Sequence, residues 1–238
     1  AGGMFGIYAS NDISGDLSIT STGSVSSATG LGDGIRGDNY GANMLISAHD
    51  TQGENNGIAA NSYGIGSVRV VSTGSATGGT TAGIYAYMIS GTDLAIDAVN
   101  TQGGAQGIFA HGGSGTLTIT STGLATSTNG DGILADGFGT DVTVNAVDTH
   151  GAGGAGIVAS NSGTGTIQIN STGTASGESA GILAYNYSGV GTTINAVDTN
   201  GEFGIGVASN SGPITVTSTG TATGTSSSGI SVASFGAG

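Results

Sequence analysis

The sequence predicts an all-β protein: a parallel β-helix, or β-solenoid, of about ten coils of ~25 residues. Three observations predict it. A Gly-Ile pair recurs at Gly6, Gly34, Gly57, Gly83, Gly107, Gly132, Gly156, Gly181, Gly204 and Gly229. Each pair opens a short alternating segment such as Gly107-Ile108-Phe109-Ala110, and a second one, such as Leu117-Thr118-Ile119-Thr120, follows a glycine-rich turn. Alternation of that kind marks a half-buried strand. The third observation is a slower rhythm of two coils, roughly 50 residues, described below. A propeller blade needs about 40 residues and four strands, and the Leu-x-x-Leu-x-Leu ladder of leucine-rich repeats is absent.

The first unit, residues 1–33, places strands near Gly6–Ala9 and Leu17–Thr20. The second, 34–56, is the least regular: Ile35-Arg36-Gly37 replaces the Ile-x-Ala core, and Met44-Leu45-Ile46 is continuously apolar. Residues 57–203 repeat cleanly. Ile205-Gly206-Val207-Ala208 and Ile230-Ser231-Val232-Ala233 each carry one extra residue, as a bulge would require. Odd units contain a Ser-Thr-Gly turn, as at Ser121-Thr122-Gly123. Even units contain strings such as Asn145-Ala146-Val147-Asp148-Thr149-His150-Gly151. No linker or composition shift breaks the pattern, so residues 1–238 form one continuous solenoid. Ten rungs at about 4.8 Å per coil span on the order of 45 Å. The last unit, from Gly229, stops before its second strand, so the chain is expected to be a fragment or processed part of a longer one.

Fifty glycines among 238 residues are expected at turns, where positive φ costs little without a Cβ. Asn11, Asn61, Asn161 and Asn210, with Asn186 close by, are expected to form a structural turn ladder, since asparagine tolerates the left-handed conformation.

The formal charge is −13, and Arg36 and Arg69 are the only strong cations. Nucleic acid and anionic membrane surfaces both require basic clusters, so neither is an expected partner. No apolar run approaches the roughly 20 residues of a spanning helix. The absence of cysteine gives no sign of an oxidising compartment and suits a chain that crosses an envelope unfolded.

Several constellations of residues bear on chemistry. Asp50, Asp148 and Asp198, with Asn100, occupy one column in alternate coils. Like positions there lie about 10 Å apart, too far to share Ca²⁺, so spaced-out solvated acids are expected and no metal. His49, His111 and His150 fall in different columns and do not converge as zinc ligands. Asp131 with Asp136, or Asp93 with Asp141, are the candidate glycosidase carboxylate pairs, but acids borne by repeating turns explain them equally. With no lysine and two separated arginines, lyase chemistry is poorly supplied. No enzyme and no cofactor are expected. Thr118, Thr120 and Thr122 resemble a threonine array, but other coils place Arg69 and Val71, or Gln168 and Asn170, at the equivalent sites.

The position after Gly-Ile carries Tyr8, Arg36, Ala59, Tyr85, Phe109, Leu134, Val158 and Leu183. If Ile and Ala point inward, this column points outward. Tyr8, Tyr85, Phe109, Leu134, Val158 and Leu183 would then form an exposed apolar stripe of the kind that marks an interaction surface. The alternative is that a second layer covers the column, or that the two faces are reversed.

At the Gly-Ile-Tyr-Ala-x-Asn rung followed by Leu-Thr-Ile-Thr-Ser-Thr-Gly, the chain resembles the passenger domains of bacterial autotransporters, β-helical surface adhesins of Gram-negative bacteria. The likeness extends over essentially the whole chain. It implies a right-handed β-helix, a hand that parallel crossovers also favour. It further implies export and display or release outside the cell, at the extracellular or outer-membrane surface. The function it implies is that of a non-catalytic adhesin or stalk mediating cell-surface or matrix attachment, with possible biofilm roles. Expected partners are another copy, a host or matrix protein, or a glycan. Two other readings stand beside it: a subunit of an extracellular filament assembled end to end or laterally, and, with less support, a carbohydrate-active β-helix enzyme.

Overall fold

The structure is a computed structural model that describes residues 4–27, 30 and 32–236. Among these there is no helix, and so none long and apolar enough to cross a membrane. The chain winds as a β-solenoid between two parallel sheets. Ten strands, from Ile7–Asn11 to Ile230–Ser234, stack in chain order to make the first sheet. Ten such rungs delimit nine turns. The second sheet stacks the strands that follow, from Leu17–Ser21 to Ile214–Ser218, and bends into a second limb at Thr51–Gly53, Gln102 and Ala222–Gly224.

The register explains the periodic sequence. Isoleucine pairs with isoleucine from rung to rung: Ile84 with Ile108, Ile108 with Ile133, Ile133 with Ile157. Alanine follows in the next inward column, Ala86 to Ala110 to Ala135 to Ala159. Opposite them stand pairs such as Leu117 and Ile119, or Val142 and Val144, and all of these residues are buried. Stacking like on like therefore builds one narrow apolar core along the axis, in which each coil needs only its neighbours. In the second rung Gly37 sits in the alanine column, and Met44 and Ile46 fill the space its missing side chain leaves. Leu45 points outward, as alternation requires.

Two expectations are corrected here. Ile205–Val207 and Ile230–Val232 contain no bulge. Val207 simply takes the alanine place, paired with Ala184, and the register runs without a shift. The glycines are also not mainly there for positive φ. Among the described residues only Gly15, Gly30 and Gly212 have it, and no asparagine does. Most glycines are required by close approach of neighbouring backbone, as the Gly-Ile column shows: a Cβ at Gly107 would lie 2.6 Å from the Gly132 carbonyl oxygen.

The asparagine ladder is real in part. Asn11 and Asn39 share a column, and so do Asn161 and Asn186. Asn61 falls one position earlier, opposite Asp38, and Asn210 one position later. Asn39, Asn161 and Asn186 are buried, and each side chain ties down the turn after its strand. Asn186, for example, donates to the Gly191 carbonyl at 2.7 Å and accepts from the Gly189 N–H at 2.9 Å. These amides substitute for a backbone partner inside a turn.

The two-coil rhythm comes from the bend in the second sheet. Between the columns of Ala98 and Thr101 the even coil has two intervening residues. The odd coil paired with it, from Ser121 to Ala125, has three. The extra residue leaves one N–H off the ladder, and the even coil below supplies its acceptor. Asp50 accepts from the Ser75 N–H at 2.9 Å, Asn100 from Leu124 at 3.1 Å, Asp148 from Thr174 at 2.8 Å and Asp198 from Thr221 at 2.8 Å. The acid column is therefore a set of bend caps rather than a row of merely solvated charges. Asn100 does the same work without charge. Replacing Asp148 by Asn is thus expected to leave stability within about 0.5 kcal/mol. Replacing it by Ala orphans the Thr174 N–H and is expected to cost about 1 kcal/mol, read from denaturant midpoints.

Candidate interaction face

Each rung of the first sheet turns its Ile and Ala inward, so the residues one and three places after the Ile face outward. The residue five places after extends the same face past the turn. This settles the orientation of the predicted stripe. Tyr8 is 53% exposed, and Tyr85, Phe109, Leu134, Val158 and Leu183 are each half-buried against their neighbours in the column. Ala59 lies in the same column but is covered, being a small residue between Arg36 and Tyr85. No second layer covers the face among the described residues.

The stripe is wider than the sequence reading made it. The column three places after the Ile holds Tyr87, His111, Asp136 and Tyr185. Tyr40, Tyr63, Phe138, Tyr187 and Phe235 occupy the column five places after. The chain has seven Tyr, five Phe and no Trp. All twelve rings fall on this face, the last two, Phe5 and Phe203, two places before an Ile. None lies in the second sheet. The signal was present in the sequence, since every aromatic sits at one of four offsets from a Gly-Ile pair.

Parallel stacking brings like rings over one another. Tyr85 and Phe109 have centroids 4.8 Å apart and planes inclined by 13°. Tyr40 and Tyr63 stack at 4.7 Å, Tyr87 and His111 at 4.7 Å, and His111 meets Phe138 at 4.7 Å. The rings thus cover one another's faces along the axis and present their edges outward. Burial raises the hydroxyl pKa of Tyr85 above its ordinary value, with a smaller contribution from Tyr87.

The columns of this face hold five of the chain's fifteen acids, Asp12, Asp33, Asp38, Asp131 and Asp136, and the column of Tyr85 and Phe109 holds none. Asp38 pairs with Arg36 at 3.0 Å, and Asp136 meets the His111 ring at 3.2 Å. Arg36 also lies over the Phe5 ring, 5.8 Å from its centroid.

The other constellations do not assemble. His49 contacts Asp50 and Thr73, His111 sits in the aromatic face, and His150 meets Ser176. Among the described residues no three His, Cys, Asp or Glu side chains converge as metal ligands. Asp93 and Asp141 are two coils apart, with Thr116 in the coil between. Asp93 receives the N–H and hydroxyl of Thr116 at 2.9 and 2.8 Å, and these bonds lower its pKa. Asp131 and Asp136 lie at opposite ends of one strand, roughly 16 Å apart at about 3.3 Å per residue. Neither pair has glycosidase spacing. The threonine array is interrupted as expected, and amides replace it in part: Asn195 donates to Asn170 at 2.9 Å, and Asn170 to Asn145 at 2.8 Å.

Asp131 has its pKa raised, chiefly by burial, with the Ala155 N–H bond acting in the other direction. A carboxyl raised in the folded state binds its proton more readily there than in the unfolded chain. Stability therefore falls as pH rises from the ordinary carboxylate value through the folded value. Asp131→Asn keeps an acceptor for Ala155 and removes that loss. It is expected to raise the thermal midpoint at neutral pH, with the gain fading as pH drops through the carboxylate range.

No protein-family model, curated protein or solved structure matches the chain.

Proposed function

We propose that the chain is the rod of a non-catalytic surface protein, an adhesin or stalk displayed outside a Gram-negative cell, and that the aromatic face is its contact surface. One observation carries this: all twelve aromatic side chains gather on one face of the acidic rod, and the column of Tyr85 and Phe109 at its centre holds no acid. Tyr and Phe are enriched in protein contact surfaces and charge is depleted at their centres, so this face has the composition of a contact region. A solenoid suits the role mechanically, because coils can be added without changing the face they display. The resemblance of the rung motif to autotransporter passengers supports the location.

The test uses beads coated with the 238-residue chain and scored for attachment to cells and to matrix-coated surfaces. Aromatic anchors at contact surfaces typically each cost more than 1 kcal/mol when truncated. The double substitution Tyr85→Ser and Phe109→Ser should therefore lower attachment at least about tenfold while the circular dichroism spectrum is unchanged. Undiminished attachment by the double variant would remove the face from the proposal.

A further inference from the structure

The aromatic face changes character towards its last rungs. In its middle, rings cover rings. Tyr185 is different, since its neighbours in the column are Ser160 on one side and Ala208 on the other. The next two rungs continue with small residues, Gly206 and Ala208, then Ser231 and Ala233. The result is a depression of about 220 Å³ with Leu183, Tyr185 and Phe203 around it and Gly206, Ala208, Ser231 and Ala233 along it. The stack of side chains is interrupted there for two rungs, and the axial side of the Tyr185 ring towards Ala208 meets no other ring.

We propose that this notch binds a neutral hexopyranose unit of a glycan. The inference rests on the aromatic face being the contact surface and names the ligand of one part of it. A pyranose ring has a C–H face that packs on an aromatic ring and a rim of hydroxyls that must be hydrogen-bonded. The notch offers both. Leu183, Tyr185 and Phe203 supply the apolar walls. Ser231 lines it with its hydroxyl, and Asn210 follows Ala208 by two positions on the same face. Asn210 donates its amide to the Tyr187 carbonyl at 3.0 Å, which leaves its side-chain oxygen as an acceptor.

Charge selects the class of sugar. Both arginines lie in the second and third coils, far along the rod, and Arg36 and Arg69 are committed to Asp38 and Asp97. Glu202 adjoins Phe203 in sequence. A uronate, sulfated or phosphorylated glycan would meet a negative field with no cation to hold its acid group, whereas a neutral sugar loses nothing.

The probes are cellopentaose, maltopentaose, laminaripentaose and mannopentaose, with pentagalacturonate as the charged comparison. Binding to the 238-residue chain is followed by saturation-transfer NMR and calorimetry. At least one neutral hexose oligomer should bind, with saturation strongest on ring C–H protons, and pentagalacturonate should not. Tyr185→Ala should weaken binding about tenfold, the loss of one stacking contact. Ala208→Tyr, an outward substitution that fills the vacant rung, should weaken it at least as much. Leu124→Ser, an exposed position on the second sheet, should leave it unchanged. Failure of every neutral oligomer to bind overturns the proposal, and so does equal binding of pentagalacturonate. Affinity indifferent to both Tyr185→Ala and Ala208→Tyr overturns it as well. Bead attachment that depends on Tyr85 and Phe109, without sugar binding at the notch, would overturn the glycan assignment alone. Sugar binding with attachment indifferent to Tyr85 and Phe109 would overturn the wider contact face and leave the notch standing.

Discussion

Replacing Gly132 by alanine is expected to destabilise the solenoid by about 3 kcal/mol, at the upper end of what overpacking costs. The added Cβ would stand 2.6 Å from the Gly156 carbonyl oxygen, 2.9 Å from that of Ala125 and 3.0 Å from the His150 nitrogen. All three atoms are backbone, so no side chain can rotate out of the way. The oxygen in this column is also the acceptor of the ladder: Ile7 donates to Gly34 at 2.9 Å, Ile35 to Gly57 at 3.0 Å and Ile205 to Gly229 at 2.8 Å. Relieving the clash means lengthening that bond and moving the rung away from the second-sheet backbone at Ala125 and His150. Two other glycines separate this cause from backbone conformation. Gly23 has open space around it and no positive φ, so Gly23→Ala should be neutral or stabilise by about 0.5 kcal/mol through the unfolded chain. Gly15 also has open space, but its φ is 91°, so alanine there meets strain without a clash. The expected order of urea midpoints is Gly23→Ala above Gly15→Ala above Gly132→Ala. Equal midpoints for the Gly23 and Gly132 variants would show that the corner has room, and the repeated Gly-Ile pair would then need another cause.

What could be read from the sequence follows the same line between one coil and the next. The Ile-x-Ala alternation and its period lie within a single coil, and they were enough for the solenoid; they left open which side of the strand faces out, and only the packing of Ile and Ala against the second sheet turns Tyr85, Phe109 and Leu134 outward. The role of Asp148 was not legible. Its partner is an N–H of Thr174, left over because the next coil has one residue more, and that is a relation between coils. Glycine was misread for the same reason, since the atom that excludes a side chain at Gly132 belongs to Gly156. The aromatic face was half legible. The first outward column was followed, but Tyr87, Tyr185, Tyr40 and Tyr187 in the next columns needed every ring to be counted from the same Gly-Ile origin. The asparagines needed that count too: Asn61 and Asn210 look equivalent to Asn161 in the string but stand in different columns.

The second large effect is expected to be a gain. Thr51, Thr101, Thr149 and Thr199 lie inside the bend of the second sheet, each at most 3% exposed, and their hydroxyl oxygens have no hydrogen-bond partner among the described residues. Their neighbours in the column are Ala76, Ala125 and Ala175, and at the first coil Val25 pairs with Thr51. Valine is thus already accepted at one level of this stack. An unsatisfied buried hydroxyl costs about 1 to 3 kcal/mol, and valine keeps the shape while removing the oxygen. Each Thr→Val change should raise stability by about 1 kcal/mol. Successive sites are two coils, roughly 10 Å, apart and share no partner, so the four should be nearly additive and the quadruple variant should gain about 4 kcal/mol. Ser72, Ser121, Ser171 and Ser218 offer an independent check. They are unpartnered in the adjoining column, where even coils carry Ala98, Ala146 and Ala196. Serine-to-alanine changes there should stabilise by similar amounts. A loss of stability in both series would mean that the hydroxyls are bonded after all, through water held along the inside of the bend. The alternation of Ser and Thr between coils would then be a means of spacing that water rather than a residue of repetition.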